Sequence, residues 1–157
     1  MKIQELQGQY RWLSNFWFCI VKFDGEEYPT VENAYQAAKV SYDAMRVIIV
    51  DGEPKNVRIR ELIRKASPGE AKRWGRKVKI RPDWEEVKVP LMKQLLREKF
   101  KNSYLQDKLL HTRDFILEEG NHWKDNFWGI CPPGSGQGQN VLGKLLMEVR
   151  EEIKNNK

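Results

Sequence analysis

Pro29-Thr30-Val31-Glu32-Asn33-Ala34-Tyr35-Gln36-Ala37-Ala38-Lys39 is the stretch on which the fold turns. Thr30 is an N-cap residue type. Val31, Ala34, Tyr35 and Ala38 follow it at i, i+3, i+4 and i+7, so they share one face of a helix. Glu32, Gln36 and Lys39 form a second stripe on the same helix. Just upstream, residues 13–23 are rich in aromatic and β-branched types and read as a strand. Asp24-Gly25 is a two-residue hairpin signal, and residues 26–28 return as the partner strand.

Further along, short helices are predicted over residues 43–50 and 57–65. Ser67-Pro68-Gly69-Glu70 places Ser at the N-cap, Pro at N1 and Glu at N3, opening a helix over 68–77. Asp83 with Glu86 repeats the capping pattern before an amphipathic run over 84–100, which Pro90 is expected to kink or split. Ser103 with Gln106 caps a helix reaching about residue 111, and Phe115-Ile116-Leu117 reads as a short buried strand. Residues 118–140 are loop-like. A last helix over about 141–153 carries Val141, Leu142, Leu145, Leu146, Val149 and Ile153 as an apolar stripe. The sum is α+β: one mostly helical domain over residues 1–157 with a small N-terminal β-hairpin or sheet.

Composition narrows the class. The chain has 157 residues, 40% hydrophobic and 11% aromatic, which excludes a disordered chain. No apolar run approaches the roughly 20 residues that span a bilayer, so no membrane partner is expected. The start, Met1-Lys2-Ile3-Gln4-Glu5, has no signal-peptide core. Cys19 and Cys131 cannot make a disulfide framework and read as reduced thiols of a cytoplasmic protein. Two histidines and two cysteines far apart give no zinc spacing, so neither metal nor organic cofactor is expected.

The charge is uneven. The net is +6, but residues 53–101 hold 16 Lys/Arg against seven Asp/Glu, or +9, and the remainder is −3. A basic middle third suits an anionic partner, nucleic acid or a phosphorylated metabolite, and a solvated helical face fits the charge equally well.

Several residues could carry chemistry. Glu32, in a first helical turn beside Tyr35, is either an acid complementing the helix dipole or a carboxylate at the base of a pocket. Asp125 sits in Trp123-Lys124-Asp125-Asn126-Phe127-Trp128-Gly129, a loop that could set a carboxylate against a planar ring stacked on Trp128. The run from Gly134 to Asn140, entering the last helix, is either a cradle for an oxygen-rich ligand or a connector. Cys131 has no neighbouring histidine, and His111 and His122 read as a helix-terminal cation and a loop residue.

The order of these segments resembles the NADAR, or YbiA-like, family. The matching residues are Leu13-Ser14-Asn15-Phe16, Asp24-Gly25, the stretch 29–39, Ala71-Lys72-Arg73-Trp74-Gly75-Arg76 and Arg81-Pro82-Asp83-Trp84. To these are added Asp125 with Phe127-Trp128-Gly129, and finally residues 138–150. The family often has His after the Glu where this chain has Asn33. The resemblance implies an N-glycosidase of ribosylated, phosphorylated substrates, similar to enzymes that hydrolyse ribosylamino-pyrimidine phosphates, early intermediates of riboflavin synthesis. Other members are linked with NAD, ADP-ribose and removal of ADP-ribose from guanine. It implies carboxylate roles for Glu32 and Asp125 and an aromatic wall at Trp128. It also implies ligand contacts around Ser14, Asn15, Lys39, Lys72, Arg73 and Asn140. Either Trp128 or Tyr35 would stack on the heterocycle.

Breaking a C1′–N bond builds positive charge on the ribose. One carboxylate stabilises it or activates water, and a second assists the departing amine or orients the ribose. Glu32 takes the first role and Asp125 the second in one assignment, the reverse in the other. Lys72, Arg73 and Arg76 would hold phosphate. The alternatives are an ADP-ribosyl hydrolase acting on guanine bases or nucleic acid, a non-catalytic nucleotide or nucleic-acid module, and a ligand sensor that keeps only the fold. The oligomeric state is open.

Overall fold

The computed structural model describes residues 1–157. In chain order the elements are β1 (Lys2–Ile3), a 3-10 helix (Gly8–Leu13), β2 (Val21–Phe23), β3 (Glu26–Tyr28), α1 (Val31–Ala37), β4 (Met45–Val50) and β5 (Glu53–Arg58). They continue with α2 (Ile59–Lys65), α3 (Pro68–Lys77), α4 (Trp84–Lys99), α5 (Ser103–His111), β6 (Ile116–Leu117) and α6 (Val141–Asn155). The molecule is α+β and mostly helical. Its strands make three separate two-stranded pairs: β1 parallel to β6, β2 antiparallel to β3, and β4 antiparallel to β5.

Helix α1 is the central element. It packs on α2, α3 and α4, and every residue from Val31 to Ala37 is buried. Thr30 Oγ1 caps it, accepting from the Asn33 N–H at 3.0 Å. One contiguous apolar core surrounds it, with Leu13, Ile63, Leu95, Leu96, Leu109 and Leu146 wholly enclosed. Helix α4 lies between α1 and α6, and its Lys93 and Arg97 pair with Glu148 and Glu152 of α6 on the surface. No helix is long and apolar enough to cross a membrane.

Local signals set several elements where the sequence places them. Asp24 and Gly25, both at positive φ, turn β2 into β3, with Phe23 opposite Glu26. Ser67 Oγ accepts from the Glu70 N–H, and α3 spans the predicted residues. Other expectations are corrected. Residues 13–23 are strand only over Val21–Phe23, the rest being 3-10 helix, turn and extended chain. Residues 43–50 are not a helix. Met45–Val50 pairs with Glu53–Arg58 through a second Asp-Gly turn, Asp51-Gly52, again at positive φ. This takes the start of the predicted 57–65 helix, so α2 begins at Ile59. Helix α5 is capped by Asn102, whose Oδ1 accepts from the Leu105 N–H at 3.0 Å, and not by Ser103. Asp83 precedes α4 but does not cap it, because its carboxylate is taken by the Arg81 guanidinium. Pro90 does not split α4: it stands on the exposed side, where solvent serves the carbonyl deprived of a partner.

Candidate active site

The polar stripe of α1 faces a cavity of about 590 Å³. Glu32, Tyr35, Gln36 and Lys39 form one wall. The N-terminal segment (Arg11, Ser14, Asn15 and Trp17), Lys72 of α3, Met92 of α4, and Glu119, Trp123, Asp125 and Trp128 of the late loop close the others. The two carboxylates singled out in the sequence, 93 positions apart, therefore meet in one cleft.

Glu32 is held from two sides. Its N–H donates to the Asn15 carbonyl at 3.1 Å, tying the N-terminal segment to α1. Its Oε1 accepts from Gln36 Nε2 at 2.7 Å. Burial pushes the Glu32 carboxyl above the usual carboxylate range. The Gln36 bond and the ammonium groups of Lys72 and Lys39 pull it back, and Asp125 raises it further. The Gln36 amide has its place because position 75 is glycine: a Cβ there would lie 1.7 Å from Gln36 Oε1. Burial lowers the Lys39 ammonium, Glu32 opposes that, and Lys72, Arg76 and Lys88 add like-charge pressure. Lys39 and Lys72 thus make a basic pair beside the carboxylates, with Arg76 and Lys88 acting on Lys39 from outside the cavity lining.

Tyr35 meets the Trp128 ring edge-on at 5.7 Å and leans on Trp84 at 5.1 Å. Burial, and Glu32 after it, push the Tyr35 phenol above its ordinary value, so it is neutral across the working range. Asn15 Nδ2 reaches the Met92 sulfur at 3.5 Å, while its Oδ1 is buried with no donor.

The late loop is shaped by its own polar side chains. Asp125 Oδ1 accepts from the N–H groups of Phe127 at 3.1 Å and Trp128 at 2.9 Å, an Asx turn that leaves Oδ2 for a ligand. Asn121 clamps the turn, donating to the Asp125 carbonyl at 2.9 Å and accepting from its N–H at 3.0 Å. The first turn of α6 closes the loop. Gln139 N–H donates to Asn126 O, Val141 N–H to Phe127 O and Leu142 N–H to Trp128 O.

Not every residue implied by the resemblance reaches the cleft. Ser14, Asn15, Glu32, Tyr35, Lys39, Lys72, Asp125 and Trp128 line it together; Arg73 and Asn140 do not. Arg73 is exposed on the outer side of α3. Asn140 is a buried brace: its Oδ1 accepts from the Glu119 N–H at 3.0 Å and its Nδ2 donates to the Leu117 carbonyl at 2.9 Å. Asn33 also faces away, donating to the carbonyls of Ile63 and Ala66 and so joining α1 to α2. The run from Gly134 to Asn140 gives the cavity no residue; a Cβ at Gly138 would lie 2.3 Å from the Gly129 carbonyl, so this glycine serves packing. Cys131, His111 and His122 are outside the lining.

Sequence reasoning passes over Glu119, which lines the cleft. Burial first, then Asp125 and Glu32, push its carboxyl up to about 7, against the pull of Lys72 and Lys99. A signal was present: a carboxylate pair, Glu118-Glu119, directly follows the short strand β6, in which Leu117 is enclosed and Ile116 exposed. It passes over Lys99 too, fully enclosed on α4, whose Nζ donates to the Ser14 carbonyl at 2.8 Å beneath the N-terminal wall. Burial lowers that ammonium to about 7.

Comparison with known proteins adds the following. The NADAR domain model matches residues 3–154. A Vibrio vulnificus protein named riboflavin biosynthesis protein is 36% identical over 153 residues, 95% of this chain; the chain spans 37% of that relative's length. Escherichia coli N-glycosidase YbiA is 36% identical over 143 residues, covering 89% of this chain and 79% of the relative. Nostoc punctiforme has an N-glycosidase 35% identical over 151 residues, 93% of this chain and 87% of its own. The NMR structure of E. coli YbiA superposes with a TM-score of 0.74 at 34% identity, covering 99% of this chain and 85% of the other.

Proposed function

The chain belongs to the NADAR family, and from that premise and the cleft we propose that it is a hydrolase of N-glycosyl bonds, cleaving the C1′–N bond of a phosphorylated ribosylamino-pyrimidine in the cytoplasm. The observation that carries the reading is the convergence of Glu32 and Asp125 in a cleft with an aromatic wall on one side and a basic group on the other. The names of the E. coli and Vibrio relatives support the reaction and the substrate class respectively.

The division of labour follows from the surroundings. The heterocycle stacks on Trp128, whose ring Tyr35 supports edge-on. Lys72 and Lys39 take the phosphate, a compact anion suited to ammonium point charges. The free Oδ2 of Asp125 accepts from a ribose hydroxyl and fixes the sugar. Glu32 lies against the positive charge that grows on C1′ and takes the proton of the attacking water. Burial raises its affinity for protons, as suits a general base, while Gln36 and the two ammonium groups favour its ionised form.

Glu32→Gln and Asp125→Asn test this with a ribosylamino-pyrimidine phosphate as substrate. Glu32→Gln is expected to lower turnover at least about a hundredfold, and Asp125→Asn about tenfold to a hundredfold through the lost bond to the ribose. Full activity in both folded variants refutes the assignment.

One observation favours a second reading. Arg11, stacked over Trp17 at 5.5 Å, adds a cation and a ring to the lining beyond what a monophosphate uses. ADP-ribose on a guanine base, with two phosphates and a second heterocycle, would use both. Side-by-side turnover of the free ribosylamino-pyrimidine phosphate and of ADP-ribosylated guanine in single-stranded DNA separates the two.

A further inference from the structure

Glu119 is a third carboxylate in the cleft, and the surrounding residues hold its backbone with three hydrogen bonds. Its N–H donates to Asn140 Oδ1 at 3.0 Å, and its carbonyl accepts from the Ile130 N–H at 2.9 Å and from Asn121 Nδ2 at 3.4 Å. Gly129 makes the approach possible: a Cβ there would sit 2.0 Å from the Glu119 carbonyl oxygen and 3.0 Å from its Cγ. Three residues of the late loop and the entry to α6, none with a ligand contact of its own, thus converge on one backbone. The side chain they aim lines the cavity shared with Glu32 and Asp125, and no protein hydrogen bond engages its carboxyl.

We propose that Glu119 is a further catalytic residue, the acid that protonates the departing nitrogen. The proposal rests on the N-glycosidase reading. As the C1′–N bond breaks, its electron pair goes to nitrogen and the Glu119 O–H transfers its proton there. The oxygen of water bonds to C1′ and gives a proton to the Glu32 carboxylate. That proton then returns to Glu119 through solvent, so the products are the ribose phosphate and the free amine, with no change of oxidation state. The environment supports the role. An acid needs its proton at neutral pH, and Glu119 is held up by burial and by the charges of Asp125 and Glu32 facing it. Lys72 from α3 and Lys99 from α4 act in the opposite sense.

The test is Glu119→Gln assayed on two substrates. One is a ribosylamino-pyrimidine phosphate, whose amine must gain a proton to leave. The other is a ribosyl pyridinium phosphate, whose leaving group departs as neutral pyridine and takes none. The expected result is a loss of at least about a hundredfold on the first and less than about fivefold on the second. In addition, the wild-type rate on the first substrate falls as pH rises past about 7, and the variant lacks that limb. Equal losses on both substrates, wild-type rates in the variant, or an unchanged alkaline limb overturns the acid role and leaves the N-glycosidase reading standing. Should the wild type reject the pyridinium probe, the alkaline limb decides alone. Wild-type turnover of neither substrate overturns the ribosylamino-pyrimidine reading, and the acid role argued on it. Glu119→Asp, which keeps a carboxyl on a shorter stem, is expected to retain the alkaline limb at reduced rate. Its loss in a folded protein counts against the proposal.

Discussion

Replacing Gly75 by Ala separates placement of the general base from integrity of the fold. A methyl group at position 75 would stand 1.7 Å from Gln36 Oε1 and 2.7 Å from its Cδ. Carbon and oxygen need well over 3 Å, so the amide must retreat by about 1.5 Å. Its Nε2 moves with it, and the 2.7 Å bond to Glu32 passes beyond hydrogen-bonding reach. A lost bond to a buried carboxylate costs about 1.5–3 kcal/mol. Alanine inside α3 returns about 0.5–1 kcal/mol over glycine. The net is about 1–2 kcal/mol of stability, too little to unfold an ordinary domain. Activity suffers more: a catalytic group misplaced by about 1 Å loses roughly a hundredfold. The sign of the pH effect follows as well. The Gln36 bond lowers the Glu32 pKa, so its loss raises that pKa and moves the acidic limb of kcat/KM to higher pH. Thermal melts and kcat/KM against pH on the ribosylamino-pyrimidine substrate measure both quantities. Gln36→Leu is expected to reproduce the effect, and the double variant to be little worse than either single one. A Gly75→Ala protein with wild-type kcat/KM and an unmoved pH profile would refute the link between α3 and the base.

Two further outcomes concern stability. Lys99 is neutral in the folded protein above about 7, whereas the unfolded chain keeps that proton up to about 10.4. The unfolded state binds more protons in that window, so Lys99 makes stability rise with pH through it, by a few kcal/mol at about 1.4 kcal/mol per unit. Lys99→Met removes this component, visible as the difference between wild-type and variant denaturant melts at pH 7 and pH 9.5. On the surface, Arg97 and Lys93 hold Glu152 down to about 2, so its stabilisation is present above about 4.5 and fades as pH falls toward 2. With these groups partly exposed and screened, Glu152→Gln is expected to cost under about 1 kcal/mol at neutral pH, and less in 1 M salt.

What the sequence showed and what it hid divide along physical lines. The cap of α3 and the Asp24-Gly25 turn depend on neighbours within four positions, so both are read directly. The β4–β5 ribbon was equally local: Val47 to Val50 is a β-branched run ending at Asp51-Gly52, the same dipeptide that turns β2 into β3. A helical reading of 43–50 passes over that turn chemistry. The stripe of Glu32, Gln36 and Lys39 pointed to the cleft because the three lie close in sequence, Glu32 and Gln36 on α1 and Lys39 just past its end. Glu119 could not be found that way: its burial and charge come from α1, α3, α4 and the loop around Asp125. Asn140 was misjudged for the same reason. A polar residue beside a glycine-rich run looks like a ligand contact until the N–H it accepts from, 21 positions away, is known.

The closure of the late loop by the first turn of α6 has a consequence for the order in which the protein becomes competent. A growing polypeptide presents α1, with Glu32 and Lys39, while most of the chain is still to be translated. The carbonyls of Asn126, Phe127 and Trp128 find their donors only after Gln139 to Leu142 have emerged. A ribosome stalled before that point releases a product with much of its hydrophobic framework and no assembled chemistry. Such fragments would be catalytically silent in the cell, whatever fraction of the framework they manage to fold.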